Sequence, residues 1–242
     1  MRFTFHLFST GHLAVLAAVP VFAVLLALFE RSRPQSARTI RLVLALLLIA
    51  TTAVHYGSYV ARGEAIFPRH LPLELCDASL WLTAVMLVWF RPALFDVAYY
   101  WALGGASMAL LTPNLSETNY FEAFEFFSSH GLTVAAVLYL VWTGQARPRR
   151  GSVMRAMIAV NAMAVVAGTM DYFFGTDYMY LRAKPVQATL LDVLGPWPWY
   201  ILSTEFVGLA LFLLLYLPFW RSSRGMVTAV AEEAEESLGA SG

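Results

Sequence analysis

Residues 13–29 read LAVLAAVPVFAVLLALF, a run of seventeen positions in which no side chain carries a charge. A bilayer core of about 30 Å needs roughly 17–25 mostly apolar residues in a helix, so this run is long enough to cross one. The charged pair Glu30-Arg31 follows it, and charged side chains are costly inside the hydrocarbon. The stretch therefore predicts a transmembrane helix that ends at residue 29.

Six further apolar runs of similar length follow along the chain. They are Ile40–Tyr59, Leu73–Phe90, Ala93–Leu111, Phe127–Trp142, Val153–Phe174 and Trp199–Trp220. The pattern predicts an all-α polytopic membrane protein with seven transmembrane helices, formed as one domain by residues 1–224. Residues 225–242 contain four glutamates, and we predict an acidic, disordered cytoplasmic tail there.

The composition excludes several classes of protein. Of the 242 residues, 59% are hydrophobic and 13% are charged, whereas soluble domains average about 45–50% and about 25%. The formal net charge is zero, which disfavours nucleic acid as a partner. Because Cys76 is the only cysteine, an intramolecular disulfide and a multi-thiolate zinc site are excluded. We predict neither a metal site nor a cofactor.

The basic residues predict how the chain is oriented. With seven spans, eleven arginines fall on one side of the membrane and five arginines or lysines on the other. Positive residues are enriched in cytoplasmic loops. The chain is therefore predicted to have its N-terminus outside and its C-terminus in the cytoplasm.

Chemically active side chains collect at the predicted outer ends of the helices. All five histidines and Cys76 lie there, together with Glu74 and Asp77. Ionisable groups at the membrane edge often have a function, and the arrangement indicates an outward-facing polar cavity. The alternative is that these are ordinary interfacial groups in contact with water.

Cys76 and His130 form the most specific candidate pair. Cys76 lies in LPLELCD (71–77), near the predicted start of the third span, and His130 lies in FFSSHG (126–131), at the start of the fifth. A cysteine and a histidine at the same depth can act as nucleophile and base. Glu122 lies one helical turn before Phe126 and two turns before His130, on the same face of the helix, so its carboxylate could orient the imidazole. Taken alone, Cys76 also fits a small buried hydrophobe.

Other polar residues are candidates for substrate binding. Asn161 lies near the middle of the sixth span, and Asp171 begins the aromatic loop DYFFGTDYMYLRAKP (171–185). Within that loop, Arg182 and Lys184 suit a phosphate-bearing lipid head group. Interhelical hydrogen bonding by Asn161 and an interfacial aromatic belt are the alternatives.

An internal similarity raises the question of duplication. FHLFSTGH (5–12) before the first span resembles FEFFSSH (124–130) before the fifth. Spans one to three and five to seven would then be parallel repeats joined by span four, a 3+1+3 arrangement found in small transporters. His12 and His130 would occupy equivalent places, which makes His12 a further candidate for ligand contact.

Several motifs together resemble a known family. These are FSTGH (8–12), LPLELC (71–76), SHG (129–131), YMYL (178–181) and GPWPWY (195–200). They are similar to the YwaF-like bacterial integral membrane proteins, which are related to the transmembrane protein 164 family. The animal relatives are regarded as lipid acyltransferases with a cysteine nucleophile. The resemblance implies Cys76 as the nucleophile and His130 as its base.

Two hypotheses for function follow. The first is a membrane-embedded lipid acyltransferase-like enzyme at the outer face, with Asn161 or backbone N–H groups holding the oxyanion and Glu74, Asp171, Arg182 and Lys184 binding substrate. The second is a small transporter or ligand-binding membrane protein without a covalent step. A rhomboid-like protease is disfavoured, because GGAS (104–107) lacks the Gly-x-Ser-Gly order. Membrane lipids are the predicted partners, and the bacterial cytoplasmic membrane is the predicted location.

Overall fold

The computed structural model describes residues 2–115, 117–185 and 190–239, with side chains up to residue 220 except at residue 190. Eight α-helices account for most of the described chain. They are α1 Thr10–Ser32, α2 Ala37–Ala61, α3 Leu75–Val88, α4 Pro92–Tyr100, α5 Ser107–Leu111, α6 Tyr120–Trp142, α7 Ser152–Phe174 and α8 Trp199–Gly239. A π-helical turn, Trp101–Ala106, joins α4 to α5, and the short strands β1 Arg2–Thr4 and β2 Glu117–Asn119 pair in antiparallel fashion.

Six helical segments of the described chain are long and apolar enough to cross a membrane. They are Thr10–Ser32, Pro34–Ala61, Pro92–Leu111, Tyr120–Trp142, Ser152–Phe174 and Trp199–Trp220. Large apolar side chains are exposed along them; Leu46 is 65% exposed and Val165 69%. Extended apolar surface of this kind marks contact with lipid or a partner. The predicted all-α membrane architecture is confirmed at this level.

The predicted third span is present as a shorter helix. Residues 73–90 were expected to cross the membrane, whereas α3 has 14 residues, or about 21 Å at 1.5 Å per residue. Pro72 precedes the helix, which begins only at Leu75, and Arg91-Pro92 follows its end. Since a bilayer core is about 30 Å thick, a crossing here would also need the irregular residues 62–74 before α3.

Side-chain caps fix the starts of α1 and α6. The Ser9 hydroxyl accepts the His12 N–H at 3.4 Å. At α6, the Asn119 side chain accepts the N–H groups of Phe121 and Glu122, and the Glu122 carboxylate accepts the Asn119 N–H. This reciprocal capping box satisfies N–H groups that would otherwise lack a partner. Polar residues thus define helix ends within an apolar sequence.

Hydrogen bonds between helices identify the two ends of the bundle. At the end that carries the N-termini of α1, α3, α6 and α8, called the site end here, His12 donates to the Leu110 carbonyl at 2.8 Å. At the opposite end, called the arginine end, the Arg149 and Arg155 guanidiniums hold the fully buried Asp96 carboxylate at 2.7–2.9 Å. That ion-paired cluster ties α4 to the loop before α7 and to α7 itself.

Candidate functional site

Two adjoining cavities lie at the site end of the bundle. The smaller has a volume of about 100 Å³ and the larger about 750 Å³. Five residues line both: His55, Cys76, Asp77, Phe126 and His130. We call this shared wall the junction. It brings together the two residues that the sequence marked as nucleophile and base, although they belong to different helices.

The small cavity is enclosed by α2, α3, α6 and the π-helical turn. Beyond the junction, its lining consists of Thr52, Leu80, Ala106, Glu125, Ser129 and Thr133. Half of these side chains carry a hydroxyl and one carries a carboxylate, so the cavity offers polar partners next to the Cys76 thiol.

The large cavity has the dimensions of a ligand site, since small-molecule pockets commonly measure about 300–1,000 Å³. Its walls are mainly apolar and come from the junction helices α2, α3 and α6, from the π-helical turn, α5, α7 and α8, and from the segments that connect them. Gly104 allows α8 to approach closely, because a Cβ there would lie 2.8 Å from the Phe212 ring. Outside the junction, the lining residues of the Arg, His and Glu types are Arg69, His70, Glu74 and Glu205.

Cys76 is the second residue of α3 and carries a free, half-buried thiol. Within the described part of the chain, its sulfur has no hydrogen-bond partner, His130 included. The first N–H groups of a helix have no intrahelical acceptor. In α3, no side chain caps them either. These N–H groups and the helix dipole favour negative charge beside Cys76, whereas burial of the thiol and the carboxylates of Asp77 and Glu74 oppose it.

The His130 imidazole is held in one orientation by its own helix. Its Nδ1 lies 2.8 Å from the Phe126 carbonyl, and the ring stacks on the Phe126 ring with centroids 4.2 Å apart. Because a carbonyl only accepts, Nδ1 carries the proton and Nε2 keeps a lone pair. Glu122 does not orient this imidazole as the sequence suggested, because its carboxylate is held in the capping box of α6.

A second histidine of the junction faces a carboxylate. His55 Nδ1 on α2 lies 3.2 Å from Glu125 Oε1 on α6, and both side chains are partly exposed. The sequence placed both residues at the same end of the bundle but gave no signal that they meet. Spacing along one helix cannot report a contact between two helices, so this pair was missed.

Glu74 lines the large cavity just before α3 begins. Its carboxylate accepts the Met179 N–H at 3.0 Å, which ties the residue 171–185 loop to the site. The pKa of this carboxyl is raised to about 7, chiefly by burial. The hydrogen bond from Met179 lowers the pKa in part, and the negative charge of Asp77 raises it. A group whose charge changes near neutral pH therefore lies beside the junction.

Asp171 organises the loop that follows α7. It is 1% exposed, and its Oδ1 accepts the Thr176 hydroxyl at 2.7 Å and the Tyr178 N–H at 2.8 Å. The Tyr178 hydroxyl then donates to the Pro68 carbonyl at 2.7 Å. The loop is thereby fastened to the segment before α3, and Asp171 itself lines neither cavity.

Arg182 and Lys184 also lie outside both linings. The Arg182 guanidinium donates to the Asp171 carbonyl at 3.2 Å and to the Thr176 carbonyl at 3.3 Å. The Lys184 ammonium lies 5.3 Å from the centre of the Tyr200 ring. Both cations thus already have partners within the protein, and both lie close in sequence to Pro185, which does line the large cavity.

Asn161 and His12 are engaged in contacts between helices. Asn161 Nδ2 donates to the Glu205 carboxylate at 2.9 Å, and Glu205 in turn lines the large cavity. His12 is 2% exposed; its Nδ1 accepts the Phe8 N–H at 2.9 Å while its Nε2 donates to Leu110. Of the predicted substrate-binding residues, Glu74 alone lines either of these two cavities.

Metal-ligating residues do not converge in the part of the chain that the structure describes. Residues 2–115, 117–185 and 190–239 contain no group of three or more His, Cys, Asp or Glu side chains that could hold a metal ion.

Comparisons with known proteins place the chain in a family. The model of the TMEM164 family matches residues 7–216. An uncharacterised protein of Treponema pallidum (strain Nichols) is 27% identical over 158 residues, which are 65% of this chain and 65% of that protein. The match thus spans just under two thirds of the relative's length. No solved structure matches the chain. Because the family model covers nearly all of the helical bundle, the chain belongs to the TMEM164 family.

Proposed function

We propose that this protein is a membrane-embedded, acyltransferase-like enzyme that moves a fatty acyl group between lipids through Cys76. The observation that carries the proposal is the junction, where a free thiol and an imidazole border the same two cavities. The larger cavity is apolar enough and large enough to receive part of a lipid. Membership of the TMEM164 family supports a protein that lies in the membrane.

The reaction would begin with attack of Cys76 on an ester carbonyl of a membrane lipid. His130 Nε2 would take the thiol proton, and the oxyanion would lie near the N–H groups that begin α3. When the tetrahedral intermediate collapses, the ester C–O bond breaks and His130 returns the proton to the departing alcohol. The product is an acyl thioester on Cys76, ready for transfer to a second lipid.

The cations of the site suit the phosphate of a lipid head group. Arg69 lines the large cavity, while Arg182 and Lys184 lie in the adjoining loop, where a head group would extend beyond the cavity. Asn161, the alternative oxyanion donor, already donates to Glu205. The backbone of α3 is therefore the better supported oxyanion site.

A small transporter or ligand-binding protein without a covalent step is the second candidate. It is favoured by the absence of a hydrogen bond between the Cys76 sulfur and His130 in the described structure. Nucleophile and base must approach to about 2.6–3.2 Å during catalysis, although such contacts are commonly looser in unliganded sites. In this alternative, Cys76 is a packing residue and His130 contacts the ligand.

The 3+1+3 repeat would support the transporter. His12 and His130 would be equivalent under the repeat, yet they have different surroundings: His12 bonds to Phe8 and Leu110, whereas His130 borders both cavities. Superposition of α1–α3 on α6–α8 about an axis along the membrane normal is the geometric test. A fit no better than that of unrelated helix triplets would remove the repeat.

The proposed orientation places the site end outside and the arginine end in the cytoplasm of a bacterium of the YwaF-like branch. We expect a cysteine introduced at Gly144, in the Cys76→Ser background, to resist a membrane-impermeant maleimide in intact cells. Gly144 begins a segment that contains three arginines, at positions 147, 149 and 150, and arginine-rich segments remain on the cytoplasmic side. A cysteine at Asp177 should react. Labelling of the Gly144 position from outside would reverse the orientation.

The role of His130 is tested through the reactivity of the single thiol. We expect His130→Ala to slow modification of Cys76 by an electrophilic lipid analogue by about 100-fold, which is the lower end of what a positioned base contributes. Loss of unlabelled protein over time, followed by intact mass, gives the rate.

A matched variant controls for a general effect of losing an imidazole. His6 is exposed and lies outside both cavity linings, so His6→Ala should leave the rate unchanged. Equal rates for wild type and His130→Ala would remove His130 as the base and favour the ligand-binding protein.

A further inference from the structure

The junction contains two imidazoles with different partners. His130 Nδ1 faces the Phe126 carbonyl at 2.8 Å, a neutral acceptor. His55 Nδ1 faces the Glu125 carboxylate at 3.2 Å. A carboxylate behind an imidazole fixes its tautomer and stabilises the imidazolium that forms when the ring takes up a proton. The two rings are therefore suited to different proton transfers.

The position of the His55–Glu125 pair relative to Cys76 is equally distinctive. Cys76 is on α3, His55 on α2 and His130 on α6, and these three helices pack against one another. Both imidazoles border the large cavity, whereas Glu125 borders only the small one. His55 thus connects a carboxylate inside the small cavity to the space in which a lipid would lie.

Transfer from a thioester needs a proton acceptor of its own. The hydroxyl of an acceptor lipid must lose its proton as its oxygen bonds to the acyl carbon. We infer that His55, oriented by Glu125, takes this proton in the second half of the proposed acyl transfer, while His130 serves the first half. This inference rests on the proposed function of Cys76.

The step balances without any further reactant. The acceptor oxygen forms the new ester bond, and its proton moves to His55 Nε2, which has no hydrogen-bond partner in the described chain. The bond between the acyl carbon and the Cys76 sulfur then breaks, and the proton passes from His55 to the departing thiolate. The products are an acylated acceptor lipid and the free Cys76 thiol. Glu125 acts through His55 and is therefore a positioning residue.

The test separates the two half-reactions in the full chain. Purified protein is placed in dioleoyl phosphatidylcholine vesicles that contain lysophosphatidylcholine as acceptor, and thioester on Cys76 is followed by intact mass alongside acyl transfer. We expect His55→Gln to form the thioester at the wild-type rate but to transfer it about 100-fold more slowly. The thioester should accumulate, which a merely structural role would not produce.

One more test variant and two control variants complete the design. Glu125→Gln keeps the shape of the side chain but loses its charge, so the thioester should accumulate and its transfer should be about tenfold slower. This variant also tests the inference if His55→Gln fails to fold. His6→Gln and Glu117→Gln replace exposed residues and should behave as wild type. Slower formation with unchanged transfer, or no change in either rate, would overturn the inference. Absence of thioester in every form, wild type included, would instead remove the proposed function and this inference with it.

Discussion

Replacing Cys76 by serine is expected to lower acyl transfer by about a thousandfold or more, since removing the nucleophile of a covalent enzyme costs at least that much. A serine hydroxyl is far less ionised than a thiol at neutral pH. The change removes little volume from a half-buried position, so the helical bundle should remain intact. Transfer of a labelled oleoyl chain from dioleoyl phosphatidylcholine to lysophosphatidylcholine in vesicles measures the effect.

Thermal unfolding of the same preparation shows whether the serine variant is folded. Ala53→Ser, at an exposed position of α2 outside both cavities, provides a matched control and should transfer at the wild-type rate. Undiminished transfer by a folded Cys76→Ser protein would exclude the covalent mechanism, and the ligand-binding protein would then be the better account.

Asp96→Ala is expected to cause the largest loss of stability. The Asp96 carboxylate is fully buried and accepts the Arg149 N–H at 3.0 Å in addition to its guanidinium contacts with Arg149 and Arg155. Breaking a buried ion pair costs about 3–5 kcal/mol. Because the two arginine side chains are 48% and 39% exposed, water can solvate them in the variant, and we expect a loss of about 3 kcal/mol.

The free energy of unfolding in detergent, measured for wild type and variant, tests this value. Glu117→Ala at an exposed position of β2 should change it by less than about 0.5 kcal/mol, as surface substitutions usually do. A change for Asp96→Ala that is no larger than this control would mean that the cluster at the arginine end does not hold α4 and α7 together.

The positions of most helices follow from the sequence because the bilayer imposes a simple rule. Backbone polar groups must be paired inside the membrane, so every long apolar run becomes a helix. The runs that began at Leu13 and Val153 correspond to α1 and α7 within a few residues. The length of α3 could not be predicted in the same way, because hydropathy does not register the delay of the helix start from Leu73 to Leu75 or its end at Val88.

The candidate site is predictable only in part. Topology alone brings Cys76 and His130 to one end of the bundle, because both lie near the start of a helix and the two helices begin at the same end. The contact between His55 and Glu125 depends on how α2 and α6 rotate about their axes, which no spacing within one helix records. Arg182 illustrates a second limit: a guanidinium can donate to a phosphate or to backbone carbonyls, and in this structure Arg182 donates to carbonyls.

The covalent state of Cys76 distinguishes an enzyme from a binding protein most directly. Wild-type protein is incubated with dioleoyl phosphatidylcholine vesicles without an acceptor, quenched in acid and examined by intact mass. An acyl-enzyme predicts the addition of one oleoyl group, mapped to Cys76, released by neutral hydroxylamine and absent from Cys76→Ser. An unchanged mass of the wild-type protein, or an adduct that persists in Cys76→Ser, would contradict the proposal that Cys76 carries the acyl group.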